Sequence, residues 1–462
     1  MSHDPANTVK QAPGPRGRRL LGSLLDVRRD RLHFVMRSMR DYGDVVGFRM
    51  GPRRLYLLSH PDHARHVLCD NQANYRKGLG LTDAEPLLGR GLLTSEGAVW
   101  NGQRRLVQQA FHGKQMEAFG ASMIEAARAT ARRWQSHADA GTPVDVAQEM
   151  VRLTMDILGA TLFRTDLSAS ADALSADLTV MARWAMGRMA ALVRVPLALP
   201  TPRNLRAQKA LHRLDQWVAE TVAQHHRGGS DGGLLALLTA SDDDHDDPNA
   251  HQQRRDEMLT LLLAGHETTA ATLAWTWYLL ARHPAVERRL HEELDGVLGE
   301  AGPSFADVPR LAYTKMVLQE VMRLYPPVWL LPRKAVAADQ VGGYRIPAGA
   351  DVLVSIYSMH RHPAYWQAPE VFDPTRFAAE RAAQRPAYAY LPFGAGPRTC
   401  LGSRFGLMEA VLAVAVLARR YRCRAASAAP VEPEASLTLR PGGAVFMQLF
   451  ERAAVGAPAY VG

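Results

Sequence analysis

The sequence predicts a mainly α-helical fold with a small β part. Three observations carry this. Residues 259–281 form one long apolar stretch, closed by Pro284. Apolar residues recur at helical spacing in residues 98–136, 142–164, 312–325 and 403–420. Strand-like patterning is confined to residues 55–59 and to the alternating, turning stretch 341–356.

In chain order, residues 1–19 are basic and rich in Pro and Gly, and read as a flexible lead-in. Residues 20–462 read as a single domain, since no linker separates two self-sufficient halves. The helix at 142–164 opens on a Thr-Pro start signal. Residues 226–233 and 240–256 read as exposed loops, the second an acidic run without calcium-loop spacing. The long helix spans about 256–282. Its middle holds His266, Glu267 and threonines, which are costly in lipid, so it reads as a buried core helix rather than a membrane span. Pro326 and Pro327 end the helix at 312–325.

Of 462 residues, 47% are hydrophobic and 22% charged, ordinary proportions for a protein with a large core. Three cysteines are too few for a disulfide framework, and their odd number argues for a reducing, cytoplasmic setting. Charges within the first 19 residues interrupt any secretory apolar segment. The net charge of +9 comes without a nucleic-acid motif, so no nucleic-acid partner is expected. A basic surface that steers an acidic protein partner is compatible with it.

The strongest chemical signal is residues 393–402, Phe-Gly-Ala-Gly-Pro-Arg-Thr-Cys-Leu-Gly. Gly394 and Gly396 allow tight backbone geometry beside a flat cofactor. Arg398 supplies a fixed cation for a carboxylate. Gly402 lets amides approach the sulfur of Cys400, and the helix starting near 403 points its positive end there, which lowers the thiol pKa. Five positions, Phe393, Gly396, Arg398, Cys400 and Gly402, fit Phe-x-x-Gly-x-Arg-x-Cys-x-Gly. A chance match in such a chain is on the order of one in ten thousand. The segment resembles the haem-binding loop of the cytochrome P-450 family, soluble bacterial type, in which a cysteine thiolate ligates haem iron. Cys69 and Cys423 lack such surroundings and read as structural.

Three further constellations fall in that family's order, so the resemblance covers nearly the whole chain. Trp100 and Arg104, four apart on one helix face, are similar to a Trp-x-x-x-Arg that contacts haem propionates; Arg105 takes that place if the helix phase is shifted. Residues 264–269, Ala-Gly-His-Glu-Thr-Thr, resemble the oxygen-activating segment. There Ala264 lies over the haem and the Glu267–Thr268 acid–alcohol pair feeds protons through ordered water. His266 reads as a helix-face residue rather than a ligand. Glu320 and Arg323 share a helix face, and the resemblance adds Arg376 as third member of a structural network. It also makes Arg333 a propionate contact.

The resemblance implies a helical triangular prism with a small β domain, and haem b between the long central helix and the cysteine loop. It implies a monooxygenase that inserts one oxygen atom from O2 into a C–H bond of a mostly apolar small molecule such as a fatty acid, terpenoid or polyketide. Candidate substrate contacts are Ala264, Val328 and Leu331, with Trp329 narrowing the pocket and residues 76–96 and 172–200 forming a lid. No flavin or iron–sulfur pattern follows Cys400, so electrons are expected from a ferredoxin or flavodoxin-type partner with its reductase. The chain shows no membrane anchor, although Pro13-Gly14-Pro15 is similar to the hinge that follows one in microsomal members. A peroxide-using or rearranging haem-thiolate enzyme, or a non-catalytic haem sensor, are the competing readings; the Glu267–Thr268 pair argues against both.

Overall fold

A computed structural model describes residues 10–111, 113–189, 191, 193–228, 233–239, 248–299 and 302–452. Helices dominate it. The longest, Pro248–Arg282, runs through the main core and packs on the helices Val146–Leu158, Ala312–Leu324 and Ser403–Arg420. The last of these has the bounds its apolar spacing predicts, and it is buried on nearly all sides. Gly265 is where the long helix comes closest to Val146–Leu158: a Cβ there would lie 2.9 Å from Leu158 Cδ2.

Three expectations are corrected. Residues 226–228 continue the helix Pro202–Gly228, and Gly233 opens the helix Gly233–Thr239. Residues 248–256 are helical, not loop, because Pro248 is tolerated in a first turn. The acidic run 240–247, like residues 1–9, lies outside the described residues. Within the expected lead-in, residues 10–19 are irregular but tied to the sheet: Lys10 O accepts from Arg345 N, and Pro13 O from Gly47 N at 2.8 Å. The predicted helix at 98–136 is two helices, Gly97–Gln109 and Gly113–Ala140.

Among the described residues the largest of four sheets is five-stranded, in the order Val45–Met50, Arg53–Leu58, Asp351–Ser355, Leu330–Ala335, Tyr75–Lys77. Its register places Lys77 opposite Arg333. Since side chains alternate along a strand, Leu331 and Arg333 share one face and Lys334 takes the other.

An ion-pair network ties the helix Ala312–Leu324 to the segment 360–376. Arg323 and Glu320 are both fully buried and meet in a fork, Nε–Oε2 2.7 Å and Nη2–Oε1 2.8 Å. Arg376 Nε lies 3.3 Å from Glu320 Oε1. Arg323 Nη1 also donates to His360 O at 3.0 Å and to Pro369 O at 2.6 Å. The His360 ring passes the connection on: its Nε2 accepts from Leu391 N at 2.9 Å, two residues before Phe393.

That acceptor role requires a neutral ring, and burial beside Arg323 and Arg361 pushes the His360 pKa down to about 3. The unfolded chain binds a proton near pH 6.5, so this residue's contribution is present above pH 6.5 and is lost as pH falls toward 3. Urea unfolding of the wild type should weaken more steeply between pH 6.5 and 4 than that of His360→Asn. Equal slopes would contradict the assignment.

Candidate active site

Cys400 lies deep in the fold, yet it keeps accessible surface. Its loop is closed by Cys400 N donating to Phe393 O at 3.0 Å. Gly396 has φ +72° and its missing Cβ would sit 2.0 Å from Leu68 O, so only glycine fits where the loop turns against the chain at Cys69. The close approach at Gly396 is thus to protein backbone. A Cβ on Gly394 would instead face Leu331, at 3.6 Å.

The expected lowering of the Cys400 pKa is not what the surroundings produce. Burial raises it; the Gly402 N–H and the Arg104 charge pull the other way without prevailing. On the long helix Ala264 is exposed although Leu262 and Leu263 are buried, and five residues further on a Cβ at Gly406, in the helix after the cysteine loop, would lie 3.5 Å from Thr269 Oγ1. Thr268 Oγ1 donates to Ala264 O at 2.9 Å, the usual back-bond of a helical threonine. Glu267 is not hydrogen-bonded to Thr268. Its Oε1 meets Arg440 Nη1 at 3.4 Å, from the strand Leu439–Pro441. His266 is buried, with Nδ1 2.7 Å from Leu262 O, and among the described residues no His, Cys, Asp or Glu cluster has a metal-holding arrangement.

Four cations converge beside the cysteine loop. Arg104 Nη1 donates to Thr399 O at 3.1 Å, whereas Arg105 turns outward to Asn101 O, which settles the helix phase. Arg398, Arg104 and Lys77 lie 5.5, 5.3 and 5.8 Å from the Trp100 ring centre. Burial pushes the Lys77 pKa down to about 7 and that of Arg333 to about 10, with Arg398 adding to both shifts. Glu96 answers this charge: Arg398 Nη1 donates to its Oε1 at 3.0 Å, and Nη2 to its Oε2. Sequence reasoning missed Lys77, Glu96 and Arg440. Glu96 had a readable signal, being four residues before Trp100 and eight before Arg104.

Val328, just before the strand Leu330–Ala335, and Leu331, within it, are half-buried. Trp329 does not narrow the pocket: it is buried in a small core and donates Nε1–H to Ser436 O at 3.0 Å. Cys69 and Cys423 are free thiols, half-buried and buried.

A deep, accessible cysteine with a guanidinium close by is what the class of haem-thiolate proteins requires. Residues 12–446 match the cytochrome P-450 family model, and the chain belongs to that family. It is 39% identical to a cyclooctatin synthase of Streptomyces melanosporofaciens over 93% of each chain. It is 37% identical to a cyclooctat-9-en-7-ol 5-monooxygenase of the same organism, over 88% of each. It is 31% identical to a pentalenene oxygenase of Streptomyces avermitilis over 91% of this chain and 93% of that protein. The chain is a monooxygenase of this family. Proteins of this family carry a haem-thiolate cofactor and use O2 and redox partners. Among the described residues, no helix is long and apolar enough to cross a membrane.

The opposite directions of Arg104 and Arg105 give a direct check. Arg104→Leu should release haem to a scavenging apoprotein roughly tenfold faster. Arg105→Ala should leave that rate unchanged.

Proposed function

We propose that Cys400 Sγ would hold the iron of haem b, in a chain whose residues 20–462 form one catalytic domain that hydroxylates a terpenoid. The observation that carries this is Arg104 held on the carbonyl of Thr399, the residue beside a Cys400 that is deep in the fold yet accessible. The cation set fits the two carboxylates of such a cofactor: Arg104, Arg333 and Arg398 would hold them, with Lys77 as a fourth positive group. Bound haem supplies the iron at which O2 is activated, and thiolate ligation favours O–O cleavage.

The protein's own residues do the rest. Ala264 leaves room over the cofactor face. Thr268 Oγ1, its proton spent on Ala264 O, keeps lone pairs free to orient a water. Glu267, 3.4 Å from Arg440 Nη1, would take up a proton from solvent and pass it on to that water, returning to the ionised form. The Glu320–Arg323–Arg376 network holds the cysteine loop through His360. Val328 and Leu331 line the apolar side, and the names of two relatives, an oxygenase of pentalenene and a monooxygenase of cyclooctat-9-en-7-ol, favour a terpenoid among apolar substrates. Electrons come from a ferredoxin or flavodoxin-type protein with its reductase, in the cytoplasm. Exposed Arg105 and Arg404, on the two helices that flank the cysteine loop, suit an acidic partner.

Turnover of terpenoid alkenes and alcohols with ferredoxin and reductase tests the reading. The wild type should give products heavier by one oxygen atom. Thr268→Ala should consume reductant but lose coupled product by about 100-fold. Unchanged coupling would remove the proton-relay assignment.

A further inference from the structure

Glu96 has no role in the chemistry described so far. It is the residue just before the helix Gly97–Gln109, in extended backbone at φ −136°, ψ 166°. Its side chain does not cap that helix. Instead Oε1 accepts from Lys77 N at 2.5 Å, on the edge strand of the five-stranded sheet, and from Arg398 Nη1 at 3.0 Å. Oε2 receives the other arm of the Arg398 fork. One carboxylate therefore joins the sheet edge, a helix start and the cysteine loop two residues before Cys400. The Lys77 ammonium fixes the turn that leads into Glu96, donating to Leu92 O at 2.7 Å and Ser95 O at 2.6 Å.

We propose that Glu96 is the positioning residue of the haem-carboxylate pocket: it aims Arg398 and neutralises part of the charge that Lys77, Arg333 and Arg398 crowd together. The inference rests on the haem-thiolate reading above. A bidentate carboxylate fixes the plane of a guanidinium as well as its position, which a lone contact does not. Lys77 and Arg333 face each other across neighbouring strands, a like-charge pair that costs stability unless an anion stands close. With four cations, two cofactor carboxylates leave positive charge uncompensated; Glu96 answers one unit of it at Arg398. Arg398 keeps further N–H groups for the cofactor, because the fork to Glu96 uses two of its five donors.

The test uses purified, haem-loaded wild type, Glu96→Gln and Glu96→Asp, with three readouts. They are haem transfer to excess apomyoglobin, the ferric/ferrous midpoint potential and the thermal unfolding midpoint. Glu96→Gln should transfer haem about tenfold or more faster. Its potential should shift upward, since removing a negative charge near the iron favours the added electron. Glu96→Asp, which keeps the charge on a shorter arm, should lie nearer the wild type in potential than in transfer rate. A lower unfolding midpoint with both other readouts unchanged would make Glu96 merely structural and overturn the proposal. Slower transfer from Glu96→Gln would also overturn it, because Glu96 would then compete with the cofactor for Arg398. Failure of the wild type itself to take up haem would instead refute the haem reading beneath it.

Discussion

On the proposed haem-thiolate reading, the first constraint on the cysteine loop is that its sulfur would carry negative charge where charge is poorly tolerated. Burial raises the Cys400 pKa despite the Gly402 N–H and the Arg104 guanidinium. The fold alone therefore leaves Cys400 as a thiol. A metal ion is what turns such a thiol into a thiolate, so ligand binding and deprotonation belong to one event. The apolar depth that opposes the free anion also keeps water from the bound sulfur.

The second constraint is positional. A ligand atom must be held within fractions of an ångström, and a ten-residue loop cannot do this alone. The loop borrows rigidity from two sides. On one side the buried Glu320–Arg323 fork, whose breakage would cost about 3–5 kcal/mol, reaches the loop through the His360 carbonyl and ring. On the other, Glu96 and Arg104 tie Arg398 and Thr399 to the helix Gly97–Gln109. Strand alternation does the remaining sorting, sending Arg333 and Leu331 to one face of the sheet and Lys334 to the other.

Much of this was legible in the sequence because the chemistry is local there. The cysteine loop, the helix that follows it and the Glu320–Arg323 pair are each encoded in one continuous stretch of 18 residues or fewer. What was missed depends on partners far along the chain. Nothing near Lys77 announces that a strand register will set it opposite Arg333. Glu267 has a neighbour in Thr268, but its ion-pair partner, Arg440, is 173 residues away. Trp329 looked like a pocket wall because it lies between Val328 and Leu331, but the backbone turns it toward Ser436. The early start of the long helix was hidden by polarity: residues 248–256 are charged and polar, yet Arg254 and Asp256 are buried, and Asp256 accepts from Arg90 N at 2.7 Å. The thiol pKa was misjudged because helix polarity is visible in a sequence and burial is not.

The most direct measurement is the visible spectrum of the ferrous protein with carbon monoxide, for the wild type and for Cys400→His. Cys400 ligation predicts a strongly red-shifted Soret band in the wild type, moving to the position typical of histidine ligation in the variant. A wild-type band already at the position of histidine or protonated-thiol ligation would contradict the account, and so would a failure to bind haem when haem is ample.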